Sequence, residues 1–111
     1  MKKTNKILAF AMYKPNEGKE DELNEILKSH LPVLKEYGLI SDQAPYTVRS
    51  SDGTIIEIFE WKDEESKAIA HQHPAMRSLW GRMMGICTFP AMSDLPEGKK
   101  SFPGFSVLER E

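Results

Sequence analysis

The segment Tyr46–Trp61, YTVRSSDGTIIEIFEW, reads as two strands folded back on each other. Tyr46 to Ser50 and Thr54 to Trp61 are rich in the β-branched and aromatic residues that suit a pleated, half-buried ladder. Between them, Ser51-Asp52-Gly53 ends in an Asp-Gly pair, which supplies the positive φ of a tight hairpin. In the second strand Ile56 and Ile58 project one way while Ile55, Phe59 and Trp61 project the other. An antiparallel sheet with one wet face alternates cleanly between apolar and polar residues. This strand does not, so both of its sides need cover.

Upstream, Lys6 to Lys14 is also apolar on both alternating faces, and Pro15-Asn16-Glu17-Gly18 breaks the run, which gives a buried first strand. From Lys19 the period changes. Leu23, Ile26, Leu27, Leu31 and Leu34 form one helical stripe, Glu20, Asp21 and Glu22 complement the macrodipole in its first turn, and Gly38 suits its end. Pro32 lies inside the stripe, where its missing N–H and its ring predict a kink or a second short helix. Downstream, Asp63 is a good N-cap for a segment with Ala68 and Ile69 as its apolar positions. After an interruption at His73-Pro74, Met76, Leu79, Trp80, Met83 and Met84 form a stripe that ends at Gly85. Ile86 to Met92 is expected to be the last core strand, with Pro90 placing it at an edge or a bulge.

The order β, α, β, β, α, β predicts an α+β domain of ferredoxin-like type over residues 1–111. Its core, 6–92, would be a four-stranded antiparallel sheet with both helices on one face. Residues 93–111 form an extended C-terminal arm. Pro96, Gly98, Pro103 and Gly104 forbid a regular helix there, while Phe102, Phe105, Val107 and Leu108 demand burial. Phe105 to Leu108 suits a short strand on an open sheet edge. The chain between Met92 and Phe102 reaches roughly 30 Å when extended, enough to reach a partner's edge, which is the favoured docking place. The apolar sheet face without helices calls for a second copy of the chain, since small oligomers are mostly symmetric dimers and each large side chain buried contributes about 1.5–3 kcal/mol. The other possible cover is the chain's own tail.

With 111 residues and 12.7 kDa there is room for one core. Fifteen basic and seventeen acidic residues are interspersed, so no basic face invites nucleic acid. Cys87 is the single cysteine, which excludes a disulfide within the chain and a thiolate zinc set, and fits a reducing cytoplasm. The apolar run Ile7 to Met12 is too short for a usual export signal, and no stretch approaches the roughly twenty apolar residues of a spanning helix. No membrane partner is expected.

Among residues able to do chemistry, His71 is placed to act as a proton acceptor near neutral pH, or as a histidine that simply hydrogen-bonds at a helix end. His71 and His73 do not make a metal pair, because residues two apart on a helix face different sides. Tyr46, Phe59, Trp61 and Trp80 can line a slot for a flat aromatic ligand, or fill the core. Arg49 can hold a ligand oxyanion or answer a cross-strand partner such as Glu57. Glu57 and Glu60 interrupt their strand on opposite faces; either is a candidate base if buried or an ordinary edge charge if not, and the edge charge is the favoured reading. Cys87 reads as a small buried hydrophobe.

Taken together, Ile56-Glu57-Ile58-Phe59-Glu60-Trp61-Lys62, Asp63-Glu64-Glu65-Ser66, Ala70-His71-Gln72-His73-Pro74-Ala75-Met76 with Leu79-Trp80, and Pro15-Asn16-Glu17-Gly18-Lys19 resemble the dimeric α/β-barrel superfamily. In particular they resemble the antibiotic-biosynthesis-monooxygenase-like proteins. The resemblance covers Lys6 to Met92. It implies a homodimeric barrel and a cofactor-independent monooxygenase acting on a small aromatic phenol or quinol. In that scheme His71 takes the phenolic proton, Arg49 and Tyr46 steady the oxyanion, and Trp61 and Trp80 stack on the ring, with no metal, flavin or haem. The superfamily's haem-degrading branch ligates haem through a histidine where this chain has Trp80. The alternative implied is a dimer that binds a hydrophobic ligand, or serves in stress, without turnover.

Overall fold

The hairpin forms where the Asp-Gly pair puts it. In the computed structural model, which describes residues 1–110, strands β2 (Tyr46–Arg49) and β3 (Ile55–Trp61) pair antiparallel around Gly53, whose φ is 93°. Strand β1 (Ile7–Pro15) lies antiparallel on the other side of β3, from Ile7 opposite Trp61 to Tyr13 opposite Ile55. Strand β4 (Cys87–Thr88) pairs with the end of β1, and β5 (Ser106–Leu108) pairs with β2. The result is a five-stranded antiparallel sheet of order β4-β1-β3-β2-β5, one strand more than the sequence predicts because the arm adds the fifth. That strand lies on its own chain's β2. The predicted last strand shrinks to two residues, consistent with the ladder's loss of a donor at Pro90.

Three helices connect the strands. Helix α1 (Glu20–Glu36) carries Pro32 without breaking, and the chain leaves it through Gly38 at φ 70°. Helices α2 (Glu64–Gln72) and α3 (Pro74–Met83) meet at His73. The Asp63 carboxylate caps α2 by accepting the Ser66 N–H at 2.7 Å, and the His73 ring caps α3 by accepting from Ala75. The inward face of α2 is Ser66 and Ala70, while Ala68 and Ile69 are exposed, so the predicted apolar positions of that helix are off by a third of a turn. No helix among the described residues is long and apolar enough to cross a membrane.

The helices cover one sheet face. Tyr13, Ile55, Phe59 and Trp61 point into a core with Leu23, Leu27, Leu34, Met76 and Met83. The opposite face is divided. Val48 and Ile56 are buried beneath Leu95, with Met92 and Phe105 beside them, so the tail does fold back over part of its own sheet. The remainder is open: Leu8, Phe10, Tyr46 and Val107 are each about half exposed or more.

The tail is fastened by a carboxylate. Two 3-10 turns, Met92–Asp94 and Pro96–Lys99, bring Glu97 against the hairpin, where it accepts the Ser50 hydroxyl at 2.7 Å and the Ser51 N–H at 2.9 Å. Only glycine fits at Gly98, since a Cβ there would meet the Met92 carbonyl. The Ser51 N–H and Ser50 hydroxyl lower the Glu97 pKa to about 2. Its stabilising effect is therefore fully present above the unfolded carboxyl's pKa of about 4.3 and is lost as pH falls towards 2. Urea unfolding of the intact protein between pH 6 and pH 2 should show this loss, and Glu97→Gln should remove that part of the slope. An identical pH profile in the variant would contradict the fastening role.

Candidate functional site

A polar cluster lies inside the helix-covered core, and Glu57 is its centre. Because β3 is flanked by β1 and β2, Glu57 points from the middle of the sheet towards α1, with none of its surface exposed. Its Oε1 accepts the Tyr13 hydroxyl at 2.9 Å and lies 2.7 Å from His30 Nδ1. Its Oε2 accepts Arg110 Nη1 at 2.9 Å. The edge-charge reading of Glu57 is thus corrected: it is a buried carboxylate with a donor on each oxygen. Glu60, on the opposite face, accepts the Ser41 hydroxyl at 2.7 Å and is half-buried.

His30 escaped the sequence-based search, which named only the other two histidines. The signal was present, since His30 stands three residues after Leu27 and four before Leu34, inside the apolar stripe of α1. Its ring is held at both nitrogens. Trp80 donates its indole N–H to Nε2 at 2.9 Å. An indole nitrogen can only donate, so Nε2 must offer a lone pair and the proton sits on Nδ1, donated to Glu57. The imidazole is therefore the neutral Nδ1–H tautomer, an orientation suited to accepting a proton at Nε2. Burial, and next the charge of Glu57, push the Tyr13 hydroxyl well above the usual tyrosine pKa, so it remains a donor.

Arg110 closes the cluster from the side of the arm. Its guanidinium reaches Thr47 Oγ1 at 2.6 Å and the Leu27 carbonyl at 2.8 Å as well as Glu57. Thr47 and Glu57 are ladder partners, and it is Thr47, not Arg49, that stands opposite Glu57. Beside Arg110 runs a groove of about 720 Å³ between α1 and the β2–β5 edge, with Leu27, Ile55 and Leu108 among its apolar walls. Arg49 lines it and borders a second hollow of about 370 Å³. Among the described residues the Arg49 guanidinium has no hydrogen bond or ion pair.

The other predicted site residues are dispersed. His71 is exposed on α2, with Nδ1 bonded to the Lys67 carbonyl at 2.8 Å and its ring against Trp80 at 5.3 Å. It meets the cluster only through that indole. Trp61 is buried edge-on against Phe59 and Tyr46 stands on the open sheet face. Neither borders the groove. Cys87 is buried, with Sγ 3.3 Å from the Met83 carbonyl, and burial raises its thiol pKa. No group of three or more His, Cys, Asp or Glu among the described residues is arranged to hold a metal ion.

Compared with known protein families, curated proteins and solved structures, the chain matches none.

Because Glu57 links β1, β3, α1 and the arm, Glu57→Ala should destabilise the fold by about 3–5 kcal/mol through the stranded Arg110, His30 and Tyr13 groups. Arg49→Ala should stay within about 0.5 kcal/mol. Urea denaturation compares the two, and equal small losses would mean the cluster is solvated.

Proposed function

We propose that this chain is a ligand-binding homodimer of the antibiotic-biosynthesis-monooxygenase-like, dimeric α/β-barrel type. It holds a small aromatic phenol or quinol, as the anion, in the groove between α1 and the β2–β5 edge. The observation that carries this reading is the Arg49 guanidinium, unpaired among the described residues on the wall of a partly apolar hollow. A planar cation at such a wall suits an ionised oxygen and orients the ring behind it. The order β4-β1-β3-β2 with helices on one face agrees with a ferredoxin-like unit. The dimer draws support from Leu8, Phe10, Tyr46 and Val107, large side chains gathered on one open sheet face. The single buried Cys87 suits a reducing cytoplasm.

A second reading, oxidation without cofactor of a phenol bound not in that groove but on the Trp80 side of His30, draws on the His30–Glu57 pair. Phenol and dioxygen give a quinone and water. The phenolic proton would pass to His30 Nε2 once Trp80, half-buried and at the surface of α3, turned its indole away. The base in this scheme is His30 and not His71, which lacks a carboxylate to orient it.

Binding of 4-nitrophenolate, followed by its absorbance, should weaken at least about tenfold in Arg49→Gln, the loss of one charge-assisted hydrogen bond. Unchanged affinity would reject the groove. Oxygen uptake with hydroquinone should vanish in His30→Gln and persist in His71→Ala if the second reading holds; the reverse pattern returns the base to His71, and no uptake by the parent protein leaves binding alone. Light scattering at micromolar concentration should report about twice 12.7 kDa, and Phe10→Lys should halve it. A parent species of 12.7 kDa would refute the dimer.

A further inference from the structure

The guanidinium of Arg110 sits in a receptor that does not depend on it. Glu57 Oε2, Thr47 Oγ1 and the Leu27 carbonyl come from β3, β2 and α1, three elements fixed by the sheet and the core. The other oxygen of Glu57 is held by Tyr13 and His30. Oε2 therefore keeps its aim when Arg110 is removed. Three acceptors on one guanidinium, two at Nη1 and one at Nη2, one of them a fully buried carboxylate, match a planar fork of N–H donors and match a compact ammonium poorly.

The occupant itself is weakly anchored. Among the described residues beyond Leu108, these three hydrogen bonds are the ones that fasten the arm, and β5 contributes three ladder pairs with Val107 64% exposed and Leu108 half-buried. Segments with so little burial open far below the global unfolding free energy. A carboxylate without surface exposure cannot be left without a countercharge, so opening is favoured when another cation takes the place of Arg110.

What lies around Arg110 indicates what that cation would carry. The side chain divides the large groove from a hollow of about 390 Å³ walled by Leu31, Pro32, Ile40 and Pro45. Pro32 borders both. A group in the place of Arg110 therefore has both hollows at its sides, one of them largely apolar.

We propose that Glu57, Thr47 and the Leu27 carbonyl form a binding site for a guanidinium or amidinium group on a small, partly apolar molecule, with Arg110 as its built-in occupant. Such a molecule enters by displacing the end of the arm. This goes beyond the phenol-binding reading and does not rest on it.

The test uses methylguanidinium and benzamidinium chlorides with the full chain and Arg110→Gly, read by calorimetry. Arg110→Gly should bind methylguanidinium at least tenfold more tightly than the parent does, and benzamidinium more tightly still. Tetramethylammonium should not bind. In the parent, benzamidinium should speed amide exchange at Glu109 and Arg110. Equal affinities in parent and variant, binding of tetramethylammonium as strong as that of methylguanidinium, or unchanged exchange with benzamidinium bound would overturn the proposal. Should Arg110→Gly fail to fold at low salt, methylguanidinium must restore its thermal transition where tetramethylammonium at equal ionic strength does not; failure to restore it would equally overturn the site.

Discussion

The structure depends on keeping one carboxylate, Glu57, charged and satisfied in the middle of a sheet under three helices. An isolated carboxylate there would be prohibitively expensive to desolvate. It is tolerated because a tyrosine, a histidine and an arginine reach it from β1, α1 and the C-terminal arm. Each donor ties one element to β3, so the same bonds that satisfy the charge also set where α1 lies and where the chain end is held. An apolar residue of similar volume would stabilise the core as well or better. The polar solution instead leaves an oriented imidazole inside the core and a guanidinium at the edge of the groove.

What could be read in the sequence was mainly what depends on near neighbours. The Asp52-Gly53 turn, the α1 stripe with Gly38 beyond it, the Asp63 cap and the break at His73-Pro74 all rest on residues within a turn or two. Of the two outcomes expected at Pro32, no second helix begins there, since α1 runs as one helix through it with Leu31 and Leu34 buried on either side. The centre of the site was missed for a different reason. Whether Glu57 is an edge charge or a buried one depends on β3 having neighbours on both sides, and those neighbours are β1 and β2 at distant places in the chain. Arg110 stands 53 residues from Glu57 and in a tail that composition marks only as extended. His30 was legible, since a single histidine in an otherwise apolar stripe implies a buried partner.

The open face is covered by the chain's own tail at one end alone. The sequence posed two alternatives, a second copy or the chain's own tail. The tail covers the end of the face near the hairpin, where Glu97 fastens to Ser50 and Ser51 and brings Leu95 onto Val48 and Ile56. It cannot cover the rest, because Pro96 and Gly98 keep its turns short and Gly98 already touches the Met92 carbonyl. Leu8 and Phe10 therefore stay open at the other end, on the seven-pair β1–β3 ladder.

The arm couples this face to the interior. Along β5, Val107 faces the open side opposite Val48, while Leu108 follows the parity of Thr47 onto the helix side and leads directly to Arg110. A three-residue strand thus has one side chain on the surface left open and the next at the lip of the groove. The ladder that seats Val107 opposite Val48 is therefore the same one that carries Leu108 and Arg110 to the groove.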